Sequence, residues 1–402
     1  MHRAPEGNES EYRKYVDARI INPWKALMRD VARRTREFPE RKGILFNPKF
    51  GVRTDGWQRV FPEGLGHKNL IAQWLDEHDA PARRGGAEEG VITTDDAHRP
   101  EDVARRVASG IGRHYHGRIM ADAMQMAIID TVCKWYTPVT YGSIVDASGN
   151  AYYADDERRH ELADGCLWCC AQESIALDGG ESAVLRLLVN AQGYVKDSSV
   201  FNGAVLGLLP RGKEFFLDWH ITAGDRIIGA VSSGLHANGS TLIVERAKTL
   251  PDGLFTKLPS GMCLGEAALT PTRSYAALME ALRDAEVEVH KLIPSTGGGV
   301  AKPAAVSVEE MPFTFLIHDW VPVIPEIFQY MESIGVSRKT CLETFNMGVG
   351  FWIVCPQGSV EAVLRIGQGA GYELYVLGEV CEGPRQVIVE PGGREVLLAP
   401  ED

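Results

Sequence analysis

At 402 residues, with 45% apolar side chains, 24% charged ones and 8 cysteines, the chain has the composition of an ordinary globular protein of two to three domains. That composition excludes disordered, collagen-like and disulfide-stapled chains, and a formal charge of −12 argues against a non-specific binder of nucleic acid or membrane surfaces. Glycine alone is in excess, at 42 residues, and glycine serves where a backbone turns sharply or approaches a ligand closely.

The first residues are polar, with no secretory signal, and residues 1–43 carry 11 basic and 7 acidic side chains, read as a solvated helix face. A helix is predicted over 22–36, with Asn22 as cap, Pro23 in the first turn, and Trp24, Leu27, Met28 and Val31 as its apolar stripe. Residues 76–117 are rich in charge and glycine and read as a surface insertion with one helix near 100–110, placing His114 and His116 at the surface. Further helices are predicted over 119–134, with Met120, Met124, Ala127 and Ile128 on one face, and over 160–177. Leu162, Cys166, Cys169 and Cys170 share a face of the latter, which points to core packing rather than zinc. Val200–Leu209 reads as a buried strand, broken by Pro210, Arg211 and Gly212, and a domain boundary is placed there.

Beyond it strands and helices alternate, as in an α/β layer domain: strands over 226–231, 349–355 and 373–380, helices over 240–250, 275–286, 326–334 and 359–367. No apolar run reaches the length of a membrane span, and scattered cysteines suit a reducing cytoplasm.

Four glycine-rich stretches read as turns suited to phosphate: Gly64–Lys68, Asp178–Glu181, Ser232–Gly239 and Ser295–Gly299. Lys68 could neutralise a phosphate there, while Asp130 or Glu181 could hold the accompanying metal. No P-loop, dinucleotide fingerprint, zincin motif or nucleophile elbow occurs.

The string SSGLHANG at 232–239 closely resembles the SSGLHSNG turn of the aminoimidazole ribonucleotide synthetase (phosphoribosylformylglycinamidine cyclo-ligase) family. Thr344–Gly350 (TFNMGVG) is similar to its TFNMGIG segment, Thr296–Gly299 to its TGGG loop, and Trp320 with Pro325–Phe328 to its W…P-x-I-F. In the N-terminal half Gly179–Ala183 resembles GGETA, Phe201–Gly207 the strand that follows it, and Asp130 the Asp of the N-D-x8-P region. Gly64–Lys68 resembles D-G-V-G-T-K, with Glu63 at the Asp position and His67 at the Thr position. Tyr12, Val16 and Asp17 are similar to the family's start; Ile129 and Val184 depart from its Asn and Glu, and Phe50–Gly51 stands for its G-G-F-G loop.

The resemblance implies a two-domain subunit: an N-terminal α+β domain (1–210) that dimerises by forming a barrel with its twin, and a C-terminal α/β domain (211–402) closing a substrate cleft. It implies a cytoplasmic homodimer that closes the imidazole ring of formylglycinamidine ribonucleotide with ATP and Mg²⁺, with no nucleic-acid or membrane partner. Lys68, Asp130 and His236 would be catalytic; Gly64, Gly66, Lys68, Gly179, Gly180 and Glu181 would surround ATP; Glu63, Asp130 and Glu181 would hold Mg²⁺. Ser233, His236, Asn238, Thr296, Gly297, Gly298 and Asn346 would line the nucleotide substrate. A regulatory homologue, or a related ATP-dependent enzyme with another substrate, is the alternative implication.

Overall fold

A computed structural model describes residues 18–47, 51–53, 56–83, 115–191, 193–209, 211–212, 220–305 and 312–399. The predictions on Tyr12, Val16, Asp17, Phe50, His114, Pro210 and the helix near 100–110 fall outside them.

After an antiparallel pair of short strands, β1 (Leu45–Asn47) and β2 (Gly51–Arg53), the N-terminal half builds a four-stranded sheet in the order β3 (Trp57–Leu65), β6 (Ser199–Leu209), β4 (Thr137–Ala147) and β5 (Ala176–Glu181). β6 is antiparallel to both neighbours, with Leu65 opposite Phe201 and Ala147 opposite Ser199, while β4 and β5 run parallel. Helices Ala18–Thr35, Tyr115–Val132 and Asp156–Glu173 cover one face. Alternation along β6 explains this one-sidedness, since Phe201, Val205 and Leu209 are buried while Val200 on the opposite face is 38% exposed. Trp57 (63%), Val60 (58%) and Ile144 (41%) are likewise exposed.

The first helix starts four residues before the predicted cap, so Pro23 lies inside it and Asn22 caps nothing. Its stripe is as read: Trp24 and Val31 are buried, and Leu27 and Met28 pack against the core. Cys166, Cys169 and Cys170 are fully buried, and burial pushes the Cys169 and Cys170 thiols well up. The expected insertion is narrower than 76–117. Asp76–Arg83 continues the helix that begins at Lys68, and Tyr115–Gly117 opens a buried one. His116 is buried instead of exposed because its Nε2 meets the Asp76 carboxylate at 3.1 Å, which also accepts from Arg158 at 3.1 Å.

The two long helices touch at glycines. A Cβ on Gly165 would stand 2.1 Å from the Gly117 carbonyl oxygen, and backbone cannot yield as a side chain does. Gly165→Ala is therefore expected to lose about 1–3 kcal/mol through overpacking, read as a lower midpoint in thermal unfolding.

The C-terminal half holds a seven-stranded sheet in the order β13 (Glu395–Leu398), β12 (Gln386–Val389), β9 (Phe313–Ile317), β11 (Leu374–Glu382), β7 (Arg226–Val231), β10 (Val349–Cys355) and β8 (Lys291–Pro294). Only β12 and β9 pair parallel; the other neighbours are antiparallel. The predicted strands and helices appear near their expected bounds, and β10 matches residue for residue. Phe315, Phe328, Phe345, Phe351 and Trp352 fill its core. Among the described residues no helix is long and apolar enough to cross a membrane.

Candidate functional site

One of the four glycine stretches is not a turn: Asp178–Glu181 lies within β5, whereas Gly64–Lys68 leaves β3 after Leu65, turns at Gly66 and His67 and enters the helix at Lys68. Their glycines serve strand approach: a Cβ on Gly180 would meet the Ser143 carbonyl oxygen at 2.6 Å, and one on Gly64 the Asn202 Oδ1 at 2.6 Å. On the outer face of the sheet this leaves a groove of about 880 Å³, with Glu63, Gly64, Gly142, Gly179, Gly180, Glu181 and Asn202 among its lining residues.

Five of the eight residues predicted around ATP or metal thus share one groove; Gly66, Lys68 and Asp130 do not line it. Glu63 lies beside Asp130, whose carboxyl is pushed up to about 7, first by burial and then by Glu63, against the charges of Lys302 and Lys134. Glu181 stands apart from that pair. It is exposed, accepts from the Ser182 amide at 2.8 Å and pairs with Lys25 at 3.5 Å, which together lower its pKa. No group of three or more metal-binding side chains occurs among the described residues. Two adjacent carboxylates still fit Mg²⁺, which keeps several waters and takes its remaining ligands from substrate phosphates.

Lys68 lies away from the groove. It opens the helix Lys68–Arg83, is fully buried, and meets the Asp122 carboxylate at 2.6 Å. It also donates to the carbonyl oxygens of His236 at 2.7 Å and Thr270 at 3.2 Å, so its three N–H donors are all occupied. Burial lowers its pKa despite Asp122. The expectation of a Lys68 contact with ATP phosphate meets a saturated, enclosed ammonium here. The physical reason is Asp122, the one charged side chain in the largely apolar run MADAMQMAII. The signal was present, because a buried charge requires a partner.

The 232–239 turn is a true turn. Asn346 Nδ2 donates to the carbonyls of Gly234 (2.8 Å) and Leu235 (3.1 Å), and its Oδ1 accepts from Ser232 Oγ (3.1 Å) and the Gly348 amide (2.9 Å). Ser233 donates to Pro271 O and accepts from the Arg273 amide, which ties the turn to the neighbouring loop. His236 adopts φ 60° and lies buried beside Tyr275, its pKa pushed down to about 3 by burial and then by the Lys68 charge. Asn238 approaches Gly297, whose Cβ would lie 3.9 Å from the Asn238 Oδ1, so the second predicted substrate loop abuts the first. Thr296 starts that loop with its amide on Pro294 O, and Gly298 takes φ 92°.

Residues 222–390 match the family model described as AIR synthase related protein, C-terminal domain. The C-terminal half is an AIR synthase related domain. The phosphoribosylformylglycinamidine cyclo-ligase of Alkaliphilus oremlandii is 29% identical over 278 residues, covering 68% of this chain and 78% of the relative. That of Symbiobacterium thermophilum is 28% identical over 328 residues, 78% of this chain and 88% of the relative. AIR synthase-like folds recur in solved structures. Thiamine-monophosphate kinase from Stenotrophomonas maltophilia K279a aligns with a TM-score of 0.55 at 15% identity, covering 95% of this chain and 98% of that one. Hydrogenase maturation protein HypE in complex with ATP aligns at 0.52 and 17%, covering 71% and 80%. At such identities the likeness concerns the two-part α+β fold, which agrees with the architecture expected from the family motifs.

Proposed function

We propose that this protein is an ATP-dependent cyclo-ligase that closes formylglycinamidine ribonucleotide to aminoimidazole ribonucleotide. The observation carrying this reading is the groove on the N-terminal sheet, which brings Glu63, Gly64, Gly179, Gly180 and Glu181 to one place, with Asp130 next to Glu63 behind it. The cyclo-ligase relatives and the ATP complex of a protein with this fold support it.

In this reading ATP lies along the glycine-bearing outer face, where the absence of side chains lets phosphates approach backbone. Glu63, which lines the groove, would hold Mg²⁺ with Asp130 beside it, and the bound ion would neutralise phosphate charge. The formyl oxygen attacks the γ-phosphoryl group and ADP departs; the amidine-side nitrogen then attacks the formyl carbon, and inorganic phosphate leaves. The chain has little covalent work to do. Its task is to position reactants, balance charge and exclude water. Ser233, His236, Asn238, Thr296, Gly297 and Gly298 line the substrate side. At pH 7 a His236 with a pKa near 3 is neutral, so it can position but does not donate an imidazolium proton. The exposed Val60, Ile144 and Val200, which share the outer face, suit a homodimer in which this sheet face meets its twin.

The test is rescue of purine auxotrophy in cells lacking the cyclo-ligase, alongside a thermal shift with ATP–Mg²⁺. Wild type should rescue and shift, and Asp130→Asn should lose both rescue and the Mg²⁺-dependent part of the shift. A well-expressed wild type that shifts without rescuing would assign the ATP chemistry to another substrate. One that does neither would leave a regulatory homologue.

A further inference from the structure

Three consecutive carbonyls of the 232–239 turn are held by buried side chains: Gly234 and Leu235 by Asn346, and His236 by Lys68. In a trans peptide the N–H of the next residue points opposite to the carbonyl. The amides of Leu235, His236 and Ala237 therefore face away from Asn346 and Lys68. All three residues are buried, yet these amides donate to no group among the described residues. Buried unpaired amides are rare in native proteins, and consecutive ones form a concavity that suits an anion.

We propose that Lys68, Asp122 and Asn346 are positioning residues that aim the Leu235–Ala237 amides at a phosphate monoester of the substrate. This rests on the reading of the C-terminal half as the cleft for a sugar-phosphate substrate. Asp122 completes the clamp. Its Oδ2 holds Lys68 and its Oδ1 accepts the Thr272 amide at 2.7 Å, so one carboxylate ties the helix Tyr115–Val132 to the loop beside the turn. The assignment differs from a direct Lys68–phosphate contact in the sign of one effect. Were Lys68 the ligand, neutralising its competitor Asp122 would free the ammonium and tighten binding. As a clamp, the same change loosens the His236 carbonyl and weakens binding.

The experiment is hydrogen–deuterium exchange of the full chain with ribose 5-phosphate, and with ribose as the uncharged control. Peptides spanning 232–239 should exchange several-fold more slowly with the phosphate and unchanged with ribose. Asp122→Asn and Asn346→Ser should each raise the Kd for ribose 5-phosphate by about ten-fold or more. Labelling of Lys68 by an amine reagent should be slow and indifferent to the sugar phosphate. Absence of protection at 232–239, tighter binding by Asp122→Asn, or phosphate protection of Lys68 from labelling would each overturn the proposal. Should Asp122→Asn not fold, Asn346→Ser decides alone, and an unchanged Kd rejects the clamp. Failed rescue of the auxotroph with protection intact removes the cyclo-ligase reading and leaves the clamp; rescue without protection removes the clamp only.

Discussion

Asp122→Ala should destabilise the protein by about 3–5 kcal/mol, because it strands the Lys68 ammonium in a site that excludes water. Both side chains are fully buried at a separation of 2.6 Å. The variant also removes the acceptor for the Thr272 amide, which adds an unpaired buried donor. Replacing both partners with apolar residues of similar size, as in Lys68→Met with Asp122→Leu, should recover most of the loss. Breaking a buried pair leaves a charge uncompensated, whereas replacing it leaves none. Urea unfolding of the two single variants and the double variant measures this as a cycle. A single variant within about 1 kcal/mol of wild type would mean that water or another group reaches Lys68. The two effects of the site then separate: the double variant folds, but its His236 carbonyl has lost its donor, so ribose 5-phosphate binding should stay weak.

Much of this arrangement was legible in the sequence, and the parts that were not share a physical cause. The motif at 232–239, Thr296–Gly299 and Asn346 do converge on one region, as their family order implied. Apolar periodicity located helices with a continuous core face, and the β-branched run Val349–Cys355 could only be a buried strand. Periodicity misplaced Asn22 because the packing of the Trp24 face outweighs the preference of Asn for a helix start. Asp178–Glu181 read as a turn because glycines normally mark one; here a neighbouring strand comes too close for a side chain, which local sequence does not record. Short strands such as Lys291–Pro294 and Glu395–Leu398 exist only through their neighbours, so no local pattern announced them. The Lys68–Asp122 pair was hidden for the same reason: its partners are 54 residues apart in sequence.

His236 gives the same region a pH signature. Its folded pKa is pushed down to about 3 by burial and the Lys68 charge, whereas an unfolded histidine titrates near 6.5. Above pH 6.5 the ring is neutral in both states and contributes no pH dependence. As pH falls below 6.5 the unfolded chain takes up a proton that the folded chain refuses, so folded stability declines by about 1.4 kcal/mol per pH unit until pH approaches 3. Between pH 6.5 and 4.5 this single group accounts for roughly 2.3 kcal/mol. His236→Asn keeps a residue type that tolerates the φ of 60° and removes the titrating ring. Chemical unfolding of both proteins at several pH values should therefore show a shallower acid slope in the variant, by about one proton per molecule. Carboxylates elsewhere contribute equally to both proteins and cancel in the difference. Parallel slopes would mean that the ring is protonated in the folded state, and Lys68, 2.7 Å from the carbonyl of the same residue, would then have to be neutral or displaced.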